Sequence, residues 1–294
     1  MQENKATINM LIKTSLLYLA AYTSSAFSFN MAYVEVNSNS FANVGCYIRS
    51  DNQQPFFNAA AIFAGNINGN EPNAPEFFFN DNVKAVLHSS QIVNLQQKGI
   101  KVLITLLGNH QNAGWSCMTN QTAIQKFADR VVAMVNSYQL DGVDIDDEYS
   151  ACATNDYSLI RIAQAIKANS AFKGKLLTKA LYEDSTYFQA TYQGHRLADY
   201  LDYGWEMSYS DDQFADRLAV YLQNGMTPNQ VMLGGWTAVT YPTPYQIAQY
   251  NTQKSLAGTM VYDITSASQN YLTQVFQGQL GSQVSVDVTS NCLQ

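Results

Sequence analysis

Leu140-Asp141-Gly142-Val143-Asp144-Ile145-Asp146-Asp147-Glu148-Tyr149 gathers five carboxylates into the eight residues from Asp141 to Glu148, in a chain of 294 residues of which only 13% are charged. On a β-strand alternate side chains share a face. Asp144, Asp146 and Glu148 therefore point one way and Val143 and Ile145 the other, with Asp141-Gly142 as a turn-like entry. A strand with one apolar face and one acidic face suits the wall of a barrel, apolar side out to helices and acidic side in. At a rise of roughly 3.3 Å per residue, Asp146 and Glu148 stand about 6–7 Å apart along it. Like charges that close cannot all ionise cheaply, so at least one of these acids holds its proton to higher pH, as a general acid must. A calcium-binding acidic loop is the competing reading. The alternation is strand-like, however, and the Gly-centred ligand spacing of an EF-hand is absent.

Outward from this stretch, short apolar runs alternate with amphipathic ones. Strands are expected at Met31–Val36, Ala59–Gly65, Ile100–Leu107, Gly142–Glu148, Lys175–Leu181, Tyr203–Tyr209, Gln230–Gly235 and Thr259–Ile264. Helices are expected over Val83–Lys98, Asp156–Ala168, Phe214–Asn224, Thr243–Leu256 and Ser268–Gln277. The clearest helix carries Ile124, Phe127, Ala128, Val131, Val132 and Val135 as one stripe, with Asn120 and Thr122 as possible caps. The stretch from Tyr182 to Leu201 shows no clear period. Eight strand–helix repeats imply a parallel sheet closed as a single-domain (β/α)8 TIM barrel, with room for irregular or missing helices and with its site at the C-terminal strand ends. A doubly wound open sheet would want a Gly-rich phosphate turn after the first strand, and Val36-Asn37-Ser38-Asn39 does not supply one.

A net charge of −7 argues against nucleic acid as a partner. Lys13, the run Leu16–Ala21 and the small residues Thr23–Ala26 read as a signal peptide over residues 1–28, cleaved near Ala26 or Ser28, with Met10 a second candidate start. The catalytic domain would then cover 29–294, secreted or periplasmic, with no membrane attachment once the leader is removed and as a monomer. Export permits disulfides among Cys46, Cys117, Cys152 and Cys292. Cys117 follows the third strand and Cys152 the fourth, so both belong to adjacent loops at one barrel mouth and are expected to pair. Cys46 and Cys292 would then join the C-terminal tail to the loop after the first strand; four free thiols are the alternative. His88, His110 and His195 have no metal-ligand spacing, and neither a metal nor a cofactor is expected.

The acidic stretch also carries a resemblance. D-G-x-D-x-D-x-E is the signature of glycoside hydrolase family 18, and Asp141–Glu148 reads D-G-V-D-I-D-D-E. With Asp147 where chitinases usually carry Trp, the chain is similar to the endo-β-N-acetylglucosaminidases of the Endo H type within that family. Segments Ala32–Asn37, Ile62–Asn68 and Gly99–Gly114 extend the likeness, which is good from Ala32 to Ser150 and thin afterwards. Ser210 stands where chitinases usually have Asp, and Tyr262-Asp263 where they have Trp.

The resemblance implies substrate-assisted cleavage with retention, in which the substrate's own acetamido group is the nucleophile. Glu148 would be the general acid and then the base, Asp146 would orient the N-acetyl group, and Asp144 would share a proton with Asp146. Tyr209 would brace the N-acetyl oxygen, unless it is core. Asn109 and His110, at a strand end, could meet glycan hydroxyls, His110 equally being a structural histidine; Trp236 could stack on a sugar face or simply fill the core. The implied substrate is the chitobiose core of N-linked glycans. A small chitinase is the alternative, although the stretch from Gly235 to Thr259 leaves about two dozen residues, too few for the extra module many chitinases insert there. A non-catalytic, lectin-like barrel is the third reading, and such relatives typically lack the final Glu.

Overall fold

The computed structural model describes residues 28–294; the leader read at 1–28 lies, but for Ser28, outside the described residues. Eight parallel strands close on themselves: β1 (Phe29–Glu35), β2 (Ala59–Asn68), β3 (Lys101–Gly108), β4 (Gly142–Ile145), β5 (Leu176–Leu181), β6 (Tyr203–Glu206), β7 (Val231–Trp236) and β8 (Gly258–Tyr262). Each pairs with its sequence neighbours, and the seam is β1 against β8, with Phe29 opposite Gly258 and Ala32 opposite Val261. The expected (β/α)8 barrel is the fold.

Alternation sorts the strand residues into two cores. Outward-facing Val34, Ile62, Ile104, Val143, Ile145, Leu177 and Leu233 join the helices in one large apolar shell. Inward-facing Met31, Ala59, Ala61, Leu103, Trp205, Met232 and Met260 fill the barrel from below, so it is a packed core and not a pore. Around it lie α1 (Asp81–Leu87), α2 (Gln91–Gln97), α3 (Gln121–Ser137), α4 (Ser158–Ala168), α5 (Ser185–Gln189), α6 (Phe214–Gln223), α7 (Pro244–Gln253) and α8 (Gln269–Leu280). The whole stripe of α3 is buried, and Asn120 caps it by accepting from the Ala123 N–H at 3.0 Å, whereas Thr122 lies inside the helix. Among the described residues no helix is long and apolar enough to cross a membrane.

Four expectations need correction. The helix expected over Val83–Lys98 is two, α1 and α2. The apolar stripe lapses at Ser89-Ser90-Gln91, and the Ser89 hydroxyl both donates to the Val86 carbonyl (2.8 Å) and accepts from the Gln91 N–H (3.1 Å), ending one helix and entering the next. Gly65 does not end the second strand. It sits at a register irregularity where a Cβ would meet the Phe79 ring at 2.6 Å, and β2 runs on to Asn68 to pair antiparallel with Glu76–Phe78. The acidic strand is regular only to Ile145; Asp146 still donates its N–H to the Leu106 carbonyl (3.1 Å), and Glu148 lies on the path leaving the sheet. Likewise β6 stops at Glu206, so Met207 and Tyr209 leave from its end instead of continuing its pleat. A small antiparallel sheet of Tyr47–Arg49 with Val286–Val288, beside the bonded pair Cys46–Cys292 (Cα–Cα 5.5 Å), ties the C-terminal tail to the segment after β1.

Candidate active site

Thr105, Asp144 and Thr178 are register partners on β3, β4 and β5, so one rung of the barrel brings two hydroxyls to either side of one carboxylate. Thr105 Oγ1 donates to Asp144 Oδ2 at 3.0 Å and Thr178 Oγ1 to Oδ1 at 2.7 Å. Tyr33, facing inward from β1, donates to Oδ2 at 2.5 Å, and the Trp205 indole N–H donates in turn to the Tyr33 hydroxyl. Asp144 is fully buried, and burial pushes its pKa up to about 6 against the pull of the three hydroxyls and the Lys179 charge.

Asp146 stands above this floor, 2% exposed, and its Oδ1 has no hydrogen-bond partner among the described residues. Burial and then the neighbouring Glu148 and Asp144 hold its proton affinity well above the usual carboxylate range. Glu148 is half-buried at the mouth; burial raises its pKa, Lys179 opposes that, and Asp184 and Asp147 add to it. The three acids of the alternating pattern thus follow one another toward the mouth, and burial raises the pKa of each.

Two adjoining cavities open over them. The inner, about 240 Å³, is bounded by Asp146 and Glu148 and by Tyr33, Phe63, Tyr209 and Tyr262. The outer, about 570 Å³, shares Glu148, Met207 and Tyr209 and extends to Tyr182, Glu183 and Trp236. Tyr209 lies parallel to Tyr262 at 5.9 Å, and the Trp236 ring tilts against both, at 6.1 and 5.8 Å. Tyr209 and Trp236 therefore join the acids, and Trp236, 38% exposed, is not core. Asn109 and His110 do not line either cavity. Asn109 donates to the Asn68 side chain at 2.9 Å, and exposed His110 packs its ring 5.4 Å from Tyr149.

Cys117 and Cys152 are bonded, with Cα atoms 5.9 Å apart, and close the loop after β3 onto the segment after Glu148. Backbone bonds run alongside: Gly108 N–H to Glu148 O (3.0 Å), His110 N–H to Tyr149 O (2.6 Å) and Ala151 N–H to Gln111 O (2.8 Å). This approach requires glycine at 108, where a Cβ would meet the Glu148 carbonyl oxygen at 2.4 Å.

Sequence reasoning misses Tyr33, Phe63 and Tyr149 as site residues, and two buried ion pairs. Lys179 meets Asp184 at 2.9 Å with both side chains sealed from water. Arg217 of α6 pairs with Glu206, whose other oxygen accepts from the Ser208 N–H (3.0 Å) and hydroxyl (2.5 Å), setting the wall of the outer cavity. Tyr33 shares the inward face of β1 with Phe29, Met31 and Glu35, so alternation alone does not single it out.

Residues 21–238 match the family described as glycosyl hydrolases family 18. An endo-beta-N-acetylglucosaminidase of Flavobacterium sp. (strain SK1022) is 40% identical over 189 residues, covering 61% of this chain and 58% of its own. Endo-beta-N-acetylglucosaminidase F1 of Elizabethkingia meningoseptica is 30% identical over 184 residues, covering 58% of this chain and 53% of its own. The chain thus spans somewhat more than half the length of the curated relatives it matches. Among solved structures, EndoBT-3987 of Bacteroides thetaiotamicron with Man5GlcNAc product superposes with a TM-score of 0.74 at 22% identity, covering 91% of this chain and 64% of that one. A chitinase from Bacteroides thetaiotaomicron superposes with a TM-score of 0.64 at 15% identity, covering 86% and 97%. At those identities the likeness speaks for the fold. The family match over most of the chain and the line of acids at the strand ends agree: the chain belongs to glycosyl hydrolases family 18.

Proposed function

We propose that the protein is a secreted endo-β-N-acetylglucosaminidase that cuts between the two GlcNAc residues of the N-glycan core, retaining configuration by substrate assistance. The observation that carries this reading is Asp146: a buried carboxyl group with one unpartnered oxygen, beside a small aromatic-walled cavity and next to Glu148, whose pKa burial raises. An unsatisfied buried acceptor is costly, and the N–H of an acetamido group entering the inner cavity would supply its missing donor. Glu148 would give its proton to the glycosidic oxygen. As that bond breaks, the acetamido carbonyl oxygen, aligned by Asp146 and by the Tyr209 hydroxyl, would attack the anomeric carbon and form an oxazolinium-like intermediate. Glu148, now ionised, would take a proton from the water that opens it, returning the sugar with retained configuration. Asp144, with its three hydroxyl donors, would hold charge beneath Asp146 as the proton moves.

The N-glycan substrate is favoured by the 40% identical relative and by the stretch between β7 and β8, which holds one loop and α7, leaving the mouth open for a branched sugar. Export is supported by the two bonded cysteine pairs. The test is release of glycan from a high-mannose glycoprotein with chitin oligomers as parallel substrate. Cleavage of chitin oligomers with the glycoprotein untouched would replace this reading by a chitinase, and binding of either without turnover by a lectin-like barrel.

A further inference from the structure

Lys179 has no part in the mechanism above, yet it is a cation behind the catalytic strand, 1% exposed. On β5 it lies opposite Ile145 of β4 and faces outward, into a shell otherwise built from residues such as Ile145, Leu177 and Leu181. Burying an ammonium there is expensive unless it is paired. Its Nζ meets Asp184 at 2.9 Å and donates to the Ala180 carbonyl at 2.8 Å. Alternation carries Asp147 onto the same outward face, two residues beyond Ile145. There Asp147 accepts from the Ser116 N–H (3.3 Å) and hydroxyl (3.1 Å), beside the bonded Cys117. The residue that departs from the chitinase pattern thus has a counterpart on the neighbouring strand.

We propose that Lys179 is a positioning residue for the general acid: held by Asp184, it draws on Asp147 from behind the strand and so fixes both the backbone that carries Glu148 and the charge that Glu148 senses. The proposal rests on reading Glu148 as the acid. The titratable groups around Glu148 are Asp146, Asp147 and Tyr149 on its own segment, Lys179, Tyr182, Glu183 and Asp184 from β5 and the turn after it, Tyr209 and Asp211 after β6, and Tyr33 and Tyr262 from β1 and β8. Lys179 is the cation among them. Its attraction lowers the proton affinity of Glu148, whereas Asp147 raises it.

The two therefore act on the acid with opposite sign, so a limb that moves both ways follows these charges and not a general loss of stability. The experiment is the pH profile of kcat/KM for glycan release from a high-mannose glycoprotein, for the wild type, Lys179→Met, Lys179→Arg and Asp147→Asn. The alkaline limb reports ionisation of the acid. Lys179→Met moves it to higher pH and Asp147→Asn to lower pH, while Lys179→Arg keeps it in place. At the pH where the wild type has fallen to a tenth of its maximum, the first variant retains about a threefold larger fraction of its own maximum and the second about a threefold smaller one. Coincident limbs, whatever the loss of rate or stability, overturn the proposal. If Lys179→Met does not fold, an unmoved limb in Asp147→Asn overturns it alone. A wild type that releases no glycan overturns the functional reading and this proposal together.

Discussion

Replacing Asp144 by Asn should make the protein more stable at neutral pH. The carboxyl group is fully buried, with its pKa pushed from 3.8 up to about 6. Below about pH 3.8 it is protonated in folded and unfolded chains alike, and its ionisation contributes nothing. As pH rises through about 6 the unfolded chain has already released the proton and the folded one releases it late, so the stability present in acid is lost. A difference of about 2 units corresponds to about 3 kcal/mol. Asn carries no such liability, and its amide can still serve Tyr33, Thr105 and Thr178 because hydroxyls rotate to donate or accept. The loss of the Asp144 charge also relieves Asp146, which adds to the difference in the same sense. Urea unfolding of both proteins, followed by tryptophan fluorescence from pH 4 to 7.5, gives the comparison. The stability curves should diverge by about 3 kcal/mol in favour of the variant between pH 4 and pH 7. Parallel curves would show that Asp144 titrates in the folded protein as it does in the unfolded chain, and that burial at the barrel floor does not raise its pKa.

Three further outcomes follow from the same geometry. Glu148→Gln should fold normally and lose at least ~10²-fold in glycan release, since an amide keeps the shape but donates no proton to the leaving oxygen; activity within a few-fold of wild type removes Glu148 from the role of acid. Asp146→Asn should hydrolyse intact glycan poorly yet turn over a preformed sugar oxazoline measurably, and equal losses on both substrates count against assistance by the acetamido group. Lys179→Met should lower unfolding stability by about 3–5 kcal/mol, the usual cost of leaving a buried partner charge uncompensated; a change under about 1 kcal/mol in urea midpoints would mean that Asp184 is solvated or protonated without it.

Local pattern carried most of the fold. Apolar runs placed all eight barrel strands, and the α3 stripe was readable to the residue because a 3.6-residue period leaves little choice of face. What local pattern does not hold is where a strand stops being regular. Asp146 and Glu148 keep the alternation of a strand although the ladder ends at Ile145, because the chain there follows the loop after β3. The split of α1 from α2 depended on one serine hydroxyl, and the pairing of Tyr47–Arg49 with Val286–Val288 on a contact across nearly the whole chain. The acids were legible because they are consecutive in sequence. Tyr33, Lys179 and Asp184 were not, because each acquires its meaning from a partner on another strand or turn. Asn109 and His110 do lie at the strand end, but there Asn109 is engaged by Asn68 and His110 packs beside Tyr149, contacts that the sequence around them does not announce.

The bridge between Cys46 and Cys292 has a mechanical meaning. A tension applied at Phe29 and Gln294 is carried across the disulfide, so the chain enclosed between the two cysteines bears none of it. The load falls instead on the short stretch from Phe29 to Cys46, which includes β1, the strand zipped between β8 and β2 at the seam. Peeling β1 would draw Tyr33 away from Asp144 while the rest of the barrel stayed shielded. The element of the protein most exposed to force is thus the one that supports the floor of the acidic site.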